Sequence, residues 1–133
     1  MKSYDEVAQM LEEIIDEVPT ELFTGLSGGV ILDEHYKLHP NSLPYKPLYI
    51  MGEYHNDVTG RKIVIYCGSF LRVHGGLSND LFREKLRHTF AHELRHHIEL
   101  LSGVKSLKKF DEERMNMYIS GMDIAEFHEP AIE

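Results

Sequence analysis

Apolar residues recur every three or four positions near the start of the chain, which is the spacing of one helix face. Ser3 precedes this run and can cap a helix, and Pro19 can stop it. The pattern therefore predicts an amphipathic N-terminal helix that packs on the core. Its apolar positions are Val7, Met10, Leu11, Ile14, Ile15 and Val18.

The middle of the chain is predicted to form a small mixed or antiparallel sheet. Glycines precede a short apolar run at residues 30–32, which predicts a strand. Residues 33–47 contain three prolines and are predicted to form a loop. Residues 48–54 and 62–67 are rich in Ile, Val and Tyr, and the segment NDVTG between them is typical of a turn, so a β-hairpin is expected.

A long helix is predicted over residues 80–101, because Ser78 or Asn79 can cap it and Gly103 can end it. A shorter helix is expected around 112–120, with Asp111 as its cap, followed by a flexible tail at about 121–133. Together these elements predict one α+β domain over residues 1–133.

Composition narrows the class of protein. With 133 residues and 42% hydrophobic residues, the chain suits a single modest core. A net charge of -8 argues against nucleic-acid and anionic-membrane partners, which require clustered Lys and Arg. A single cysteine, Cys67, cannot form an internal disulfide, and no signal peptide or membrane span is evident. A soluble cytoplasmic domain of undetermined oligomeric state is therefore expected.

The stretch TFAHELRHHIELL at residues 89–101 places three histidines and two glutamates in the predicted long helix. On a helical wheel, Phe90, Leu94 and Leu101 lie opposite His92 and His96, and Ile98 flanks them. His97 points toward the apolar side and is predicted to be packed or hydrogen-bonded. The opposite face is either solvated and rich in histidine by chance, or it is built to hold a metal ion.

His92-Glu93-Leu94-Arg95-His96 has the pattern HExxH. Residues four apart on a helix are offset by about 40°, so both imidazoles can reach one small cation. Glu93, beside the first histidine, is placed to take a proton from a metal-activated water, as the general base of a zinc peptidase does. The pattern thus indicates His92 and His96 as metal ligands and Glu93 as the catalytic residue.

A catalytic zinc ion requires a third protein ligand. Asp111 is the first choice because it begins an acidic segment beyond the long helix, and Glu112 is the alternative. The same residues could simply form the acidic first turn of the last helix. Cys67 is a further candidate, since thiolates bind zinc, although a lone cysteine is usually packed in the core.

Other polar residues are candidates for supporting roles. His88 lies one turn before His92 and could contact the metal or a substrate, and Glu99 could orient a ligand histidine. Tyr66, with Tyr54, His74 and His88, could stabilise a developing oxyanion. For the oxyanion candidates a structural role is favoured, and for His88 a role at the surface or beside the ligands is favoured over direct metal contact.

The chain resembles the small zincin-like metallopeptidase family, the minimal metalloproteases. The resemblance lies in ELFTGLSGGVIL, LYIMGEYHNDVTGRKIVIYCGSFLRV, LRHTFAHELRHHIELLSG and DEERM, and it covers most of the chain. It implies a zincin-like α+β fold, one Zn²⁺ per chain bound by His92, His96 and Asp111, and peptide hydrolysis with Glu93 as the catalytic residue. Shorter members have glycine where Glu99 stands and place their aspartate closer to the second histidine, so the connection here is longer.

The expected function is therefore a zinc-dependent metallopeptidase acting on a peptide or protein through metal-activated water. The alternative is a metal-dependent domain that binds a peptide or partner, or has a regulatory role, with little or no turnover. The chain lacks the third histidine and the methionine turn of metzincins, which excludes that group. Nothing in the sequence indicates which peptide is bound.

Overall fold

The computed structural model describes residues 2–102. The helices are α1 (Tyr4–Asp16), α2 (Cys67–His74) and α3 (Asn79–Ser102), with a 3₁₀ turn at Thr20–Phe23, and the strands are β1 (Gly29–Asp33), β2 (Lys37–Leu38), β3 (Tyr49–Ile50), β4 (Gly52–Asp57) and β5 (Gly60–Tyr66). The predicted α+β class is confirmed. Gly103, the predicted C-terminal helix and the predicted tail lie outside the described residues.

Helix α1 begins with a capping box, which satisfies backbone donors that a helix start leaves unpaired. The Ser3 hydroxyl accepts a hydrogen bond from the Glu6 amide at 3.2 Å, and the Glu6 carboxylate accepts one from the Ser3 amide at 2.8 Å. The helix ends at Asp16, three residues before Pro19. The predicted N-terminal helix and its cap are therefore confirmed.

The main sheet is mixed, as predicted, and its strand order is β1-β5-β4. Strand β1 runs parallel to β5, whereas β4 is antiparallel to β5 and is joined to it by a hairpin in which Asp57 pairs with Gly60. The predicted hairpin and the predicted strand at residues 30–32 are both confirmed. Within the described residues β4 is an edge strand, with β5 as its single neighbour in the sheet.

Two expectations about the middle of the chain are corrected. The predicted loop at 33–47 contains β2, which pairs with β3 in a separate two-stranded sheet, and the predicted strand at 48–54 is divided between two sheets at the buried residue Met51. A two-residue strand is too short to show an alternating pattern, because that pattern needs at least four positions.

Helix α2 was not predicted, since its first residue, Cys67, was assigned to the end of a strand. The helix starts where the chain passes close to another backbone. A Cβ added at Gly68 would lie 2.5 Å from the Tyr36 amide nitrogen, and the Gly68 amide donates to the His35 carbonyl at 3.1 Å. Gly68 is thus required by a close approach, which sequence periodicity does not show.

The core lies between one face of the main sheet and the helices. On β5, Ile63 and Ile65 join the core cluster with α1, α2 and α3, while Val64 and Tyr66 form a smaller cluster with Ile50 on the other face. The buried apolar residues of α3 are Phe82, Leu86, Phe90, Ala91, Leu94, Ile98 and Leu101. No helix among residues 2–102 is both long and apolar enough to cross a membrane.

On the sheet face away from α3, Glu53 joins the two sheets. Its carboxylate accepts hydrogen bonds from Lys37 Nζ at 2.8 Å, the Tyr66 hydroxyl at 2.6 Å and His55 Nε2 at 2.9 Å. Burial alone would raise the pKa of Glu53, but these three donors and the charge of Lys37 together lower that pKa to about 2. The carboxylate is therefore held in its ionised form.

We expect Glu53→Gln to lower the unfolding free energy at pH 7 by about 2 kcal/mol. Because the pKa of Glu53 is lower in the folded state than its ordinary value of 4.5, its stabilisation is present above pH 4.5 and disappears as the pH falls toward 2. Urea unfolding at pH 7, 4 and 2.5 measures this. The exposed residue Glu34 provides a control, Glu34→Gln. Equal acid sensitivity in Glu53→Gln and the parent protein would contradict the role of Glu53.

Candidate metal centre

Helix α3 carries the candidate centre on its polar face. The Ser78 hydroxyl accepts a hydrogen bond from the Leu81 amide at 3.3 Å, so Ser78 caps the helix as one of the two predicted residues. Phe90, Leu94, Ile98 and Leu101 are buried, each no more than 5% exposed. The predicted division of this helix into an apolar face and a histidine face is confirmed.

His92 and His96 are both exposed, and their side chains converge above the helix. Their Nε2 atoms lie 3.0 Å apart, and their ring centroids lie 4.6 Å apart. Two nitrogens bound to one tetrahedral zinc ion at 2.0–2.1 Å are separated by about 3.3 Å. The two nitrogens are thus close to the spacing that a shared metal ion requires.

Glu93 lies between the two histidines in sequence, and its side chain is only 1% exposed. It lines the same cleft as His96. A buried carboxyl beside an exposed histidine pair can reach a water held at that pair without being a natural ligand itself. Glu93 is thus a buried carboxyl on the same helix as the two histidines, at the cleft that His96 also lines.

A cleft of about 710 Å³ is lined by residues of α3 and of the edge strand β4. Its walls come from four consecutive residues of β4 and from one face of α3. The lining residues are Glu53, Tyr54, His55, Asn56, Glu93, His96, Glu99 and Leu100. His96, Glu93 and the strand edge consequently border the same space.

The backbone of β4 alternates between bonding to β5 and facing this open edge. The Tyr66 amide donates to the Met51 carbonyl at 2.9 Å, so Met51 and Tyr66 form a hydrogen-bonded pair. Such pairs alternate along an antiparallel ladder. In the observed register, Gly52, Tyr54 and Asn56 therefore direct their amide and carbonyl groups away from β5. These groups are available to an added strand within the described part of the chain.

His97 is fully buried and hydrogen-bonded at both ring nitrogens, as the sequence predicted. Its Nε2 lies 2.7 Å from the Thr24 carbonyl oxygen, and its Nδ1 lies 2.7 Å from the Tyr54 hydroxyl. Because a carbonyl only accepts, Nε2 carries the proton and Nδ1 accepts from Tyr54. Burial lowers the pKa of His97, which favours this neutral form. The tyrosine partner, 43 residues away in sequence, was missed because no local pattern reports such a pair.

The residues predicted to support the metal site differ in how near they lie to His92 and His96. Glu99 is exposed and lines the cleft, and His88 is half-buried one turn before His92. Tyr66 is not brought to the histidines, because it lies on the other sheet face and donates to Glu53. His74 ends α2, where it is buried against Phe70 with ring centroids 5.8 Å apart.

Cys67 is part of the hydrophobic core and is 1% exposed. Burial raises the pKa of its thiol to about 11, so the thiolate that a zinc ion would need is disfavoured. The interpretation of Cys67 as a packed residue is confirmed.

The third ligand is not found among residues 2–102. No group of three His, Cys, Asp or Glu side chains in this part of the chain is arranged to hold a metal ion. The two predicted acidic ligands, Asp111 and Glu112, lie outside the described residues. Among residues 2–102, His92 and His96 are therefore a pair of potential ligands and not a complete metal site.

Comparison with known proteins places the chain in a family without supplying an activity. No family model matches the chain. No curated protein matches it. One similar solved structure is the conserved hypothetical protein TTHA0227 from Thermo thermophilus, which is 31% identical with a TM-score of 0.63, over 76% of this chain and 98% of that one. Because the similarity spans nearly the whole of that protein in both sequence and fold, the chain belongs to the same family as this conserved hypothetical protein.

Proposed function

We propose that this protein is a zinc-dependent metallopeptidase whose active site is the cleft between α3 and β4. The observation that carries the proposal is the convergence of the His92 and His96 Nε2 atoms at 3.0 Å, beside the buried carboxyl of Glu93. Two imidazoles presented by one helix suit a zinc ion, and a carboxyl next to them suits a general base. The resemblance to minimal metalloproteases supports the same combination.

In this proposal His92 and His96 hold the metal together with an acidic ligand from beyond residue 102. Asp111 is that ligand, as the family resemblance implies, with Glu112 as the alternative. Zinc, when bound, supplies a Lewis acid that makes water easier to deprotonate and polarises the carbonyl of the scissile peptide bond.

Glu93 moves the proton in this reaction. Its carboxylate accepts a proton from the attacking water and then donates it to the nitrogen of the departing amine. Glu93 is 1% exposed, so the packing around it restricts the orientation of its carboxylate. Removing a positioned acid–base group typically slows a reaction by about 10²–10⁴-fold.

The substrate class follows from the open edge of β4. Gly52, Tyr54 and Asn56 direct backbone donors and acceptors away from β5, and Tyr54 and Asn56 also line the cleft. An extended peptide can pair with these groups as an added strand. Because such pairing recognises the main-chain atoms of the peptide, it tolerates varied side chains. The proposed substrate is accordingly a protein segment in extended conformation.

The open edge of β4 also favours a second function, the binding of an extended peptide without cleavage. Strand addition at β4 needs neither the metal nor Glu93, so the domain could bind an extended peptide without cutting it. A chain with net charge -8 would then favour a basic partner. Turnover separates the two functions: a zinc-loaded protein that binds peptides and cleaves none would favour the binding function.

Zinc titration tests the ligand set. We expect one zinc ion per chain in the parent protein, and an affinity at least about 100-fold lower in His92→Ala and Asp111→Asn, because even groups that only orient ligands contribute 10–100-fold. His35→Ala removes an exposed histidine bonded to Asp33 and serves as the control. If Glu112→Gln loses zinc and Asp111→Asn retains it, Glu112 is the third ligand. Tight binding by His92→Ala would refute the centre.

Glu93→Gln tests the chemistry separately from the metal. This variant should keep one zinc ion per chain and cleave a random decapeptide library about 10²–10⁴-fold more slowly than the parent, because the amide cannot accept the proton. Mass spectrometry of the products gives the rates. Glu12→Gln, on the exposed side of α1, is the control. Cleavage by Glu93→Gln at the parental rate would show that Glu93 is not the base.

A further inference from the structure

We propose that the hydrogen-bonded chain Tyr54–His97–Thr24 is a positioning element that sets the place of the substrate-binding strand relative to the metal-binding helix. This inference rests on the proposed function and adds a role for residues outside the HExxH pattern. It identifies Tyr54 and His97 as positioning residues, since neither belongs to the metal-binding or proton-transfer groups.

The three groups connect three separate parts of the fold. The Tyr54 hydroxyl on β4 donates to His97 Nδ1 on α3 at 2.7 Å, and His97 Nε2 donates to the carbonyl of Thr24 at 2.7 Å. Thr24 directly follows the 3₁₀ turn at Thr20–Phe23. The imidazole is fully buried, so both hydrogen bonds form away from bulk water, where their geometry is strongly constrained.

A second contact nearby fixes how closely the strand approaches the helix. A Cβ added at Gly52 would lie 3.0 Å from Thr89 Cγ2, so the glycine allows β4 to lie directly on α3. Gly52 and Tyr54 lie on the face of β4 that packs on α3, where Gly52 approaches Thr89 and Tyr54 is bonded to His97. They are also two of the three residues whose backbone groups face the open edge.

Tyr54 therefore has two roles at once: its side chain contacts α3, and its backbone faces the open edge of β4. His97 immediately follows the ligand His96, and Tyr54 offers its backbone to an added peptide while its side chain is bonded to His97. The hydrogen-bonded chain therefore links the peptide-pairing backbone to the residue beside the metal ligand. A displacement of about 1 Å in a bound substrate can cost about 10²-fold in rate, so this link bears directly on catalysis.

The test combines a distance with a cleavage pattern. Nitroxide labels at Val58→Cys and Arg95→Cys, both exposed positions, report the distance from the β-hairpin to α3 by double electron–electron resonance. Cys67 is 1% exposed and does not compete for the label. The variants are Tyr54→Phe, which removes one hydroxyl, and the pair Tyr54→Phe with His97→Leu. The double variant removes both partners of the Tyr54–His97 hydrogen bond, but it also removes the donor to the Thr24 carbonyl, so its unfolding free energy is measured beside its cleavage pattern.

With the hydroxyl removed, we expect a broader distance distribution, unchanged zinc stoichiometry, and a kcat/KM on the decapeptide library reduced about 10- to 100-fold. The remaining cleavage should be spread over neighbouring bonds, because the register of the peptide is no longer fixed. A purely structural role would not move the cleavage position. Tyr4→Phe is the matched control, since it removes a hydroxyl that donates to the Leu32 carbonyl at 2.9 Å, outside the cleft.

Two results would overturn the inference in different ways. If the parent protein cleaves peptides and both Tyr54 variants cleave the same bonds at the same rates with an unchanged distance distribution, the positioning role is wrong while the proposed function stands. If the zinc-loaded parent cleaves no peptide in the library, the proposed function fails and the positioning role fails with it.

Discussion

The burial of one face of α3 is the constraint on which the candidate site depends. Phe90, Leu94, Ile98 and Leu101 fix the rotation of this helix against the core, and the helical period then determines where every other residue points. His92 and His96 are directed outward together because they are four residues apart. The convergence of these two histidines is thus a consequence of hydrophobic packing on the opposite side of the same helix.

A second requirement is that the helix face opens onto a strand with unused backbone groups. The hairpin of β4 and β5 provides it, because β5 occupies the centre of the main sheet and leaves β4 at its edge within the described residues. On the outer face, Glu53 joins β4 to β2 and β5, and on the inner face Tyr54 joins β4 to α3. The edge strand is therefore held from both faces, while its outer backbone edge pairs with no other strand among residues 2–102.

Sequence reasoning succeeds here wherever the determinant is local and periodic. Helix α1 and the two faces of the long helix follow from spacings of three to four residues, whereas the hairpin and the helix ends follow from local turn and capping residues. The burial of His97 was predicted for the same reason, because its angular position falls on the apolar side.

Contacts between distant segments could not be predicted in this way. Tyr54 and His97 are 43 residues apart, and Lys37 and Glu53 belong to different sheets. Helix α2 and the strand β2 are short, and each depends on a close approach or pairing with another segment. Tyr66 was considered as a group that could stabilise a developing oxyanion, but the alternation of β5 places it on the opposite sheet face.

X-ray absorption at the zinc edge of the zinc-loaded parent protein tests the central claim most directly, because it reports the ligands themselves. The account predicts the multiple-scattering pattern of two imidazoles, with nitrogen and oxygen neighbours at about 2.0–2.2 Å and no sulfur. A sulfur neighbour at about 2.3 Å, or a spectrum without imidazole scattering, would contradict the assignment of His92 and His96 as the core of the metal centre.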